Sequence, residues 1–173
     1  IIFILICLQG FIGWYMVSSG LIENNDVSHF RLSIHLSLAL FILILTFWFL
    51  LELSNVNRFK AKISKPLLVI ILTLLILQII LGSFLSGLDG GLIYNSWPDM
   101  NGTFFPNDLN LSDDLSNQFF YNPSIIQFLH RITAYVLLLF IIILNFEFYK
   151  KRLALSNILI FNFSILLQIF LGI

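Results

Sequence analysis

Five long apolar blocks dominate this sequence of 173 residues and restrict what it can form. They cover residues 1–20, 32–53, 67–88, 123–148 and 155–173, each with few or no charges. About 20 helical residues are needed to cross the hydrocarbon core of a bilayer. Charged residues make up only 10% of the chain, whereas soluble domains carry about 25%. The sequence therefore predicts an all-α integral membrane protein with five transmembrane helices.

The connections between the blocks differ in charge. Lys and Arg concentrate in the 54–66 and 149–153 connections, whereas residues 89–122 carry five Asp and no Lys or Arg. Cytoplasmic loops are enriched in Lys and Arg, so both basic connections are predicted to face the cytoplasm. The outer 89–122 loop is too long for a simple connector. It is expected either to cap a binding site or to be a mobile polar loop.

Composition excludes several kinds of function. The formal net charge is zero, so there is no basic field to bind nucleic acid. Cys7 is the only cysteine, which excludes an intrachain disulfide and a cysteine-cluster metal site. The sequence opens with Ile1 and stops at Ile173, both within apolar runs. We therefore expect it to be an internal part of a longer membrane protein.

A short pattern recurs in three of the predicted helices, each time with Gln at one position and Gly four residues later. The pairs are Gln9 and Gly13, Gln78 and Gly82, and Gln168 and Gly172. Each pair shares a helix face, where Gly admits a neighbouring helix and the amide can bond across the gap. One copy alone fits ordinary bundle packing, but the repeat favours a duplicated helical unit. That unit predicts two bundles with two histidines each, the unseen ones about 26 residues after Gln168 and about 38 before Gln9.

Two histidines, His35 and His130, lie near the outer ends of predicted helices. Ionisable residues inside membrane spans are costly and mark candidate functional sites, although a structural role stays open. Arg31 precedes His35 by one turn and Arg131 follows His130, so either could pair with a haem propionate. No carboxylate accompanies them at metal-ligand spacing, which argues against non-haem iron or zinc. His29 falls in a polar connection and is predicted to lie at the surface.

Four stretches resemble the haem A synthases, in the variant found in proteobacteria and mitochondria. They are Gln9-Gly10 through Gly13-Trp14-Tyr15-Met16-Val17 to Ser19-Gly20-Leu21; Val27-Ser28 with Arg31-Leu32 and His35-Leu36; Gly87-Leu88-Asp89 with Gly91, Asn95, Pro98 and Met100; and Gln127-Phe128, His130-Arg131 and Ala134-Tyr135. In order and spacing these stretches cover nearly the whole chain.

The resemblance implies an eight-helix protein made of two pseudo-symmetric four-helix bundles. Residues 1–53 would form the second half of the first bundle, 54–66 a cytoplasmic linker, and 67–173 most of the second bundle with outer loop 89–122. The implied activity is oxidation of the methyl group of haem O to the formyl group of haem A, by successive hydroxylations, for terminal oxidase maturation. A haem-dependent membrane oxidoreductase is therefore expected.

The resemblance also implies roles for particular residues. His130 would be an axial ligand of haem b, and His35 would be the catalytic-site histidine facing haem O, so both are candidate ligands of haem iron. Arg131 and Arg31 would bind the cofactors. The partner histidines and the family's catalytic carboxylate would lie outside residues 1–173, so this part alone is expected to be inactive.

The expected partners are haem O, the farnesyltransferase that produces it, membrane lipid and a second copy of the protein; the electron donor stays open. The bacterial cytoplasmic membrane is favoured over the mitochondrial inner membrane. The main alternative function is a dihaem cytochrome b-type subunit that only transfers electrons. A transporter is disfavoured, because the predicted second and fourth spans offer almost no polar path at mid-membrane.

Overall fold

The computed structural model describes residues 1–20, 27–54, 63–108, 114–152 and 155–172, and these are almost entirely helical. The helices are α1 (Ile2–Gly20), α2 (His29–Leu53), α3 (Lys65–Gly87), α4 (Leu115–Tyr121), α5 (Pro123–Lys150) and α6 (Leu155–Gly172). A 3-10 turn occupies Gly90–Leu92. The basic residues Arg58, Lys60 and Lys62 of the predicted linker, and Asp113 of the predicted loop, lie outside the described residues.

Four of the described helices, α1, α2, α3 and α5, are long and apolar enough to cross a membrane by length and composition. The fifth predicted span corresponds to α6, an apolar helix whose Ser156–Gly172 stretch is shorter. The prediction of an all-helical, multi-pass membrane protein is thus confirmed, with four full-length spans and one shorter helix. The 89–122 region differs from a plain loop, because it contains the 3-10 turn and the short helix α4.

The start of α5 follows directly from local sequence. The side chain of Asn122 accepts hydrogen bonds from the backbone N–H of Ser124 at 2.9 Å and of Ile125 at 3.4 Å. Such a side chain satisfies N–H groups that have no partner within the first helical turn. Pro123 follows at the first helical position, where a missing N–H costs nothing. This cap fixes the register of α5 and hence the position of His130 along it.

The helices pack in the order α1, α2, α3 and α5, each against the next. The most buried apolar cluster joins α3 to α5, and Phe161 and Ile165 of α6 pack against it. Its members are Leu67, Ile71, Leu137, Ile141 and Leu144. Most apolar side chains of α1 and α2 are exposed, and in a bilayer they would face lipid or further helices.

Described residues at the edges of the two basic connections meet at one end of α3 and α5. At that end Glu147, near the end of α5, accepts a hydrogen bond from the backbone N–H of Ser64, the residue before α3, at 3.0 Å. A carboxylate there also complements the positive end of the α3 dipole. This contact agrees with the sequence-based placement of 54–66 and 149–153 on one side of the membrane.

The prediction that His29 is a surface residue is wrong. His29 begins α2 and is only 5% exposed. Its ring stands edge-on to Phe84 of α3, with 4.9 Å between centroids, and to Tyr121 of α4, with 5.4 Å. A Cβ added to Gly87 would lie 2.8 Å from His29 Cα, so α2 and α3 meet closely here. The physical reason for the error is that α2 starts earlier than predicted and α4 covers its first turn.

Replacing Asn145 by Ala should weaken the contact between α5 and α6. The amides of Asn145 and Asn162 bond reciprocally, each NH2 donating to the other's oxygen at 2.9 Å. Interhelical hydrogen bonds in membranes contribute about 0.6 kcal/mol on average and up to about 1.7 kcal/mol. We expect a loss in this range, measured as the free energy of unfolding of the complete protein in mixed micelles. Asn162→Ala should cost as much, and the double variant little more than either single one. Fully additive losses would contradict the pairing.

Candidate functional site

The two membrane histidines occupy equivalent positions, about two turns from the start of their helices. Each faces a glutamine on the neighbouring helix. The amide nitrogen of Gln78 on α3 lies 3.0 Å from Nε2 of His130 on α5. The amide nitrogen of Gln9 on α1 lies 3.1 Å from Nδ1 and 3.2 Å from Nε2 of His35 on α2, and donates to the His35 carbonyl oxygen at 3.0 Å.

A glycine completes each setting, one helical turn beyond the glutamine. A Cβ built on Gly82 would stand 3.1 Å from Cε1 of His130, and a Cβ on Gly13 would stand 2.9 Å from Cε1 of His35. Both values are shorter than ordinary van der Waals contacts, so each imidazole fills the space that a side chain would otherwise take. We call this unit of histidine, glutamine and glycine across a helix pair an imidazole cradle.

Both cradles contain polar atoms without a hydrogen-bond partner among the described residues. These buried atoms are Nδ1 of His130 and the side-chain oxygens of Gln78 and Gln9. Leaving a buried polar group unsatisfied costs about 1–3 kcal/mol. Buried polar atoms without a partner therefore indicate sites where a further group could bind and satisfy them.

The chemistry of the cradles fits haem. Haem iron takes the lone pair of an imidazole nitrogen as axial ligand, and each cradle supplies an imidazole beside a glycine. The described residues contain no group of three or more His, Cys, Asp or Glu side chains that could hold a metal ion. The two single histidines, His35 and His130, stay the candidate ligands of haem iron in the described part of the chain.

The two arginines predicted to bind propionates are found in different settings. The guanidinium of Arg31 lies over the ring of Tyr15, 5.3 Å from its centroid, in a cation–π contact. Arg131 instead donates from Nη1 to the carbonyl oxygen of Asp99 at 2.7 Å and from Nη2 to that of Tyr94 at 2.9 Å. Arg131 thus holds the outer loop against α5, next to the residue that would bind iron.

The rest of the outer loop is anchored to the same end of α5. Gln127 donates to the carbonyl oxygen of Tyr94 at 3.0 Å. The carboxylate of Asp108 accepts from the hydroxyl of Tyr94 at 2.7 Å and from the hydroxyl of Ser124 at 2.5 Å. Met100, which belongs to the loop, is only 1% exposed. In its described part the loop is therefore an ordered cap above His130, which favours the first of the two sequence-based alternatives.

The hydrogen bonds to Asp108 also determine its titration. Burial acts to raise the pKa of Asp108, but the bonds from Ser124 and Tyr94 favour the carboxylate and leave that pKa below its usual value. Burial, and then the bond to Asp108, raises the pKa of Tyr94. Tyr94 therefore stays protonated and Asp108 ionised over the whole neutral range.

The comparison with known families is decisive for identity. A model of the cytochrome oxidase assembly protein family (COX15-CtaA) matches residues 1–173. The chain belongs to this family. Within the cytochrome oxidase assembly family, similar proteins include the heme A synthase of Pelagibacter ubique, which is 68% identical over 172 residues, 99% of this chain and 51% of the relative.

Two further relatives in the family are more distant. The heme A synthase of Rickettsia bellii is 39% identical over 175 residues, covering 98% of this chain and 52% of its own. That of Wolbachia pipientis wMel is 40% identical over 170 residues, covering 96% of this chain and 47% of its own. The chain thus spans about half the length of the curated relatives it matches. No solved structure matches it.

Only some of the contacts within the imidazole cradles could be predicted from the sequence. The shared face of Gln and Gly, and a glutamine bonding across the helix pair, are confirmed for α1 and α3. Sequence reasoning missed that the glutamine contacts the candidate histidine. One feature of the sequence could have revealed this contact. The Gln78 and Gly82 pair of α3 is followed by the span of His130, as the Gln9 and Gly13 pair of α1 is followed by the span of His35. In α6 the third glutamine, Gln168, is exposed, and a Cβ on Gly172 meets nothing within 4 Å among the described residues.

Acidification should release the outer loop from α5. Because the pKa of Asp108 is lower in the folded protein, its stabilising contribution is complete above the unfolded pKa of about 3.9. That contribution is lost as the pH falls through the folded value. Hydrogen exchange of the loop amides should therefore be slow at neutral pH, and Asp108→Asn should accelerate it there. Asp99→Asn is the matched control, because Asp99 meets Arg131 through its main chain. Equal exchange in Asp108→Asn and wild type would contradict the role of the carboxylate.

Proposed function

We propose that the complete protein to which this chain belongs is a haem A synthase, which oxidises the methyl group of haem O to the formyl group of haem A by successive hydroxylations. The observation that carries this proposal is the 68% identity to a heme A synthase over 99% of the chain. The two equivalent imidazole cradles support it, since they supply two separate histidines suited to haem iron.

The proposed architecture has eight helices in two pseudo-symmetric four-helix bundles. Residues 1–53 contribute two helices to the first bundle, 54–66 link the bundles in the cytoplasm, and 67–173 form most of the second. The observation that supports this division is that α1–α2 and α3–α5 each contain one cradle of the same composition. The other axial ligands and the catalytic carboxylate would come from the remaining half of the protein, so residues 1–173 alone would be inactive.

His130 is proposed as the residue of this chain that would hold the iron of a resident haem b. When bound, haem b supplies one-electron transfer. The chain's own contribution is placement: α5 carries the imidazole, α3 supplies the amide and glycine beside it, and the outer loop covers this end of α5. Arg131 fixes that loop through the carbonyl oxygens of Tyr94 and Asp99. Arg131 is therefore proposed to assist cofactor binding mainly by fixing the loop, which would limit access of water.

His35 is proposed as the histidine of the substrate site, where haem O is oxidised, and thus as the catalytic residue of this part of the chain. Its ring is positioned by Gln9 and by the space at Gly13. Arg31 lies one turn closer to the outer end of α2 and is half-buried. From there a guanidinium held over Tyr15 could turn to a propionate of the substrate.

The cellular setting follows from this function. The protein would reside in the bacterial cytoplasmic membrane and receive haem O from the farnesyltransferase that makes it. Its product would serve the maturation of a terminal oxidase, in keeping with the family to which the chain belongs. The apolar outer surfaces of α1 and α2 leave room for the remaining helices and for a second copy of the protein.

Replacing His130 by Ala in the complete protein should remove one low-spin haem. Ala has no lone pair to offer, whereas the cradle at His35 is unchanged. We expect the α-band of the reduced low-spin haem to disappear from the visible spectrum of the purified protein. Ser83→Ala, a buried polar change on α3 outside the cradle, serves as a control for general damage. An unchanged spectrum in His130→Ala would contradict the ligand assignment.

Replacing His35 by Ala should abolish formation of haem A while leaving that low-spin spectrum largely intact. The reason is that α1–α2 and α3–α5 hold separate cradles. The measurement is the haem content of membranes by chromatography, beside the visible spectrum of the same preparation. Haem A production equal to wild type would return His35 to a structural role. A wild-type protein that binds haem but never forms haem A would favour the cytochrome b-type electron carrier instead.

A further inference from the structure

The imidazole cradles contain residues whose chemistry bears on how haem is held. We propose that Gln78 and Gly82 are positioning residues for haem at His130, and that Gln9 and Gly13 act in the same way at His35. The glutamine holds the haem-free ring ready for iron, and the glycine fixes the plane of the ring. This proposal rests on the proposed function, namely that these histidines bind haem.

The first step concerns the proton on the ring of His130. An amide NH2 group only donates hydrogen bonds. Since the Gln78 nitrogen lies 3.0 Å from Nε2 of His130, that ring nitrogen is the acceptor. Nε2 therefore carries a lone pair, and the proton of the neutral ring sits on Nδ1. An iron ligand needs an unprotonated nitrogen, so Gln78 keeps Nε2 of the haem-free ring in the form that could hold iron.

The second step concerns the orientation of the ring. An imidazole on a helix can rotate about its side-chain bonds unless its neighbours prevent this. Here Gln78 contacts one edge of the His130 ring, while Gly82 stands against Cε1. The ring is thus held between two residues one turn apart on the facing helix. Iron held at Nε2 would displace the Gln78 amide from that nitrogen, so Gln78 orients the haem-free ring and Gly82 would keep its contact with the ring once haem is bound.

The third step is the recurrence of the arrangement. Gln9 and Gly13 hold the ring of His35 from α1 as Gln78 and Gly82 hold that of His130 from α3. The amide of Gln9 lies near both ring nitrogens and also donates to the main-chain carbonyl oxygen of His35. The two helix pairs share no residue, and yet each holds its histidine with a glutamine and a glycine four residues apart. General packing would require only the glycine, because a small residue suffices for close helix approach.

The decisive experiment replaces Gly82 by Ala in the complete, haem-loaded protein. The added methyl group would lie 3.1 Å from Cε1 of His130, so the ring has to turn. We expect the low-spin electron paramagnetic resonance signal of the haem to shift or broaden, and transfer of haem to excess apomyoglobin to become about 10-fold faster. Gln78→Leu removes the hydrogen-bond donor that holds the haem-free ring, and it should lower the share of the protein that purifies with haem. Asn145→Leu is the matched control, since it removes an interhelical amide bond from the helix of His130 without touching that histidine.

The outcomes separate this proposal from the proposed function. A Gly82→Ala protein with the wild-type resonance signal and wild-type haem transfer would overturn the positioning role of the glycine. A Gln78→Leu protein with the wild-type haem content would overturn that of the glutamine. Haem binding at His130 would stand in both cases. Equal effects in Asn145→Leu would also overturn the positioning role, because they would reflect loosened packing. A wild-type protein that purifies folded without haem would overturn the proposed function itself.

A second pair of variants tests the glycine at the other cradle. Gly13→Ala places a methyl group 2.9 Å from Cε1 of His35, whereas Gly10→Ala on the same helix meets nothing within 4 Å among the described residues. The probe is the summed amount of haem O and haem A that stays bound after purification from a host that makes haem O. We expect Gly13→Ala to retain several-fold less and Gly10→Ala to match wild type. Equal retention in both variants would contradict the role of Gly13.

Discussion

A hydrogen bond between a glutamine amide and a histidine ring, made across a pair of apolar helices, underlies both candidate sites. Each ring sits in a layer that offers few other polar groups, so its orientation depends on the single glutamine that reaches it. The glycine one turn away allows the two helices to approach closely enough for that bond. Loss of either residue would leave a polar ring in apolar surroundings without a fixed direction.

The outer end of α5 adds a second constraint. Arg131, Gln127 and Ser124 all bind the loop that follows α3, and they lie on the same stretch of helix as His130. A loop tied down in this way covers part of the outer end of α5. If haem is bound at His130 as proposed, that cover would limit access of water, which strengthens electrostatic interactions and limits side reactions. The position of the loop and the position of the histidine are therefore set by one element.

Sequence alone predicts the spanning helices well, because 20-residue apolar runs in a membrane have few alternatives. It also predicts that Gln and Gly four residues apart share a face, since this depends only on helical geometry. It does not reveal that His130 is the partner of Gln78, because that contact depends on which helices become neighbours.

The errors at His29 and the unforeseen role of Arg131 have a common cause. The burial of His29 depends in part on α4, a helix of seven residues that is too short to be predicted from apolar periodicity. The hydrogen bonds of Arg131 are made to main-chain carbonyl oxygens, which every residue possesses and which leave no mark in the sequence. Contacts made by loops with helix ends are set by tertiary structure and lie beyond pattern reading.

The central claim is that the complete protein converts haem O to haem A, and the most direct measurement is of its product. The complete protein would be expressed in a host that makes haem O but no haem A, and the extracted haems would be weighed by mass spectrometry. The account predicts a formyl-bearing haem that is absent from the host alone. A folded, haem-loaded protein accompanied only by haem O and haem b would contradict it.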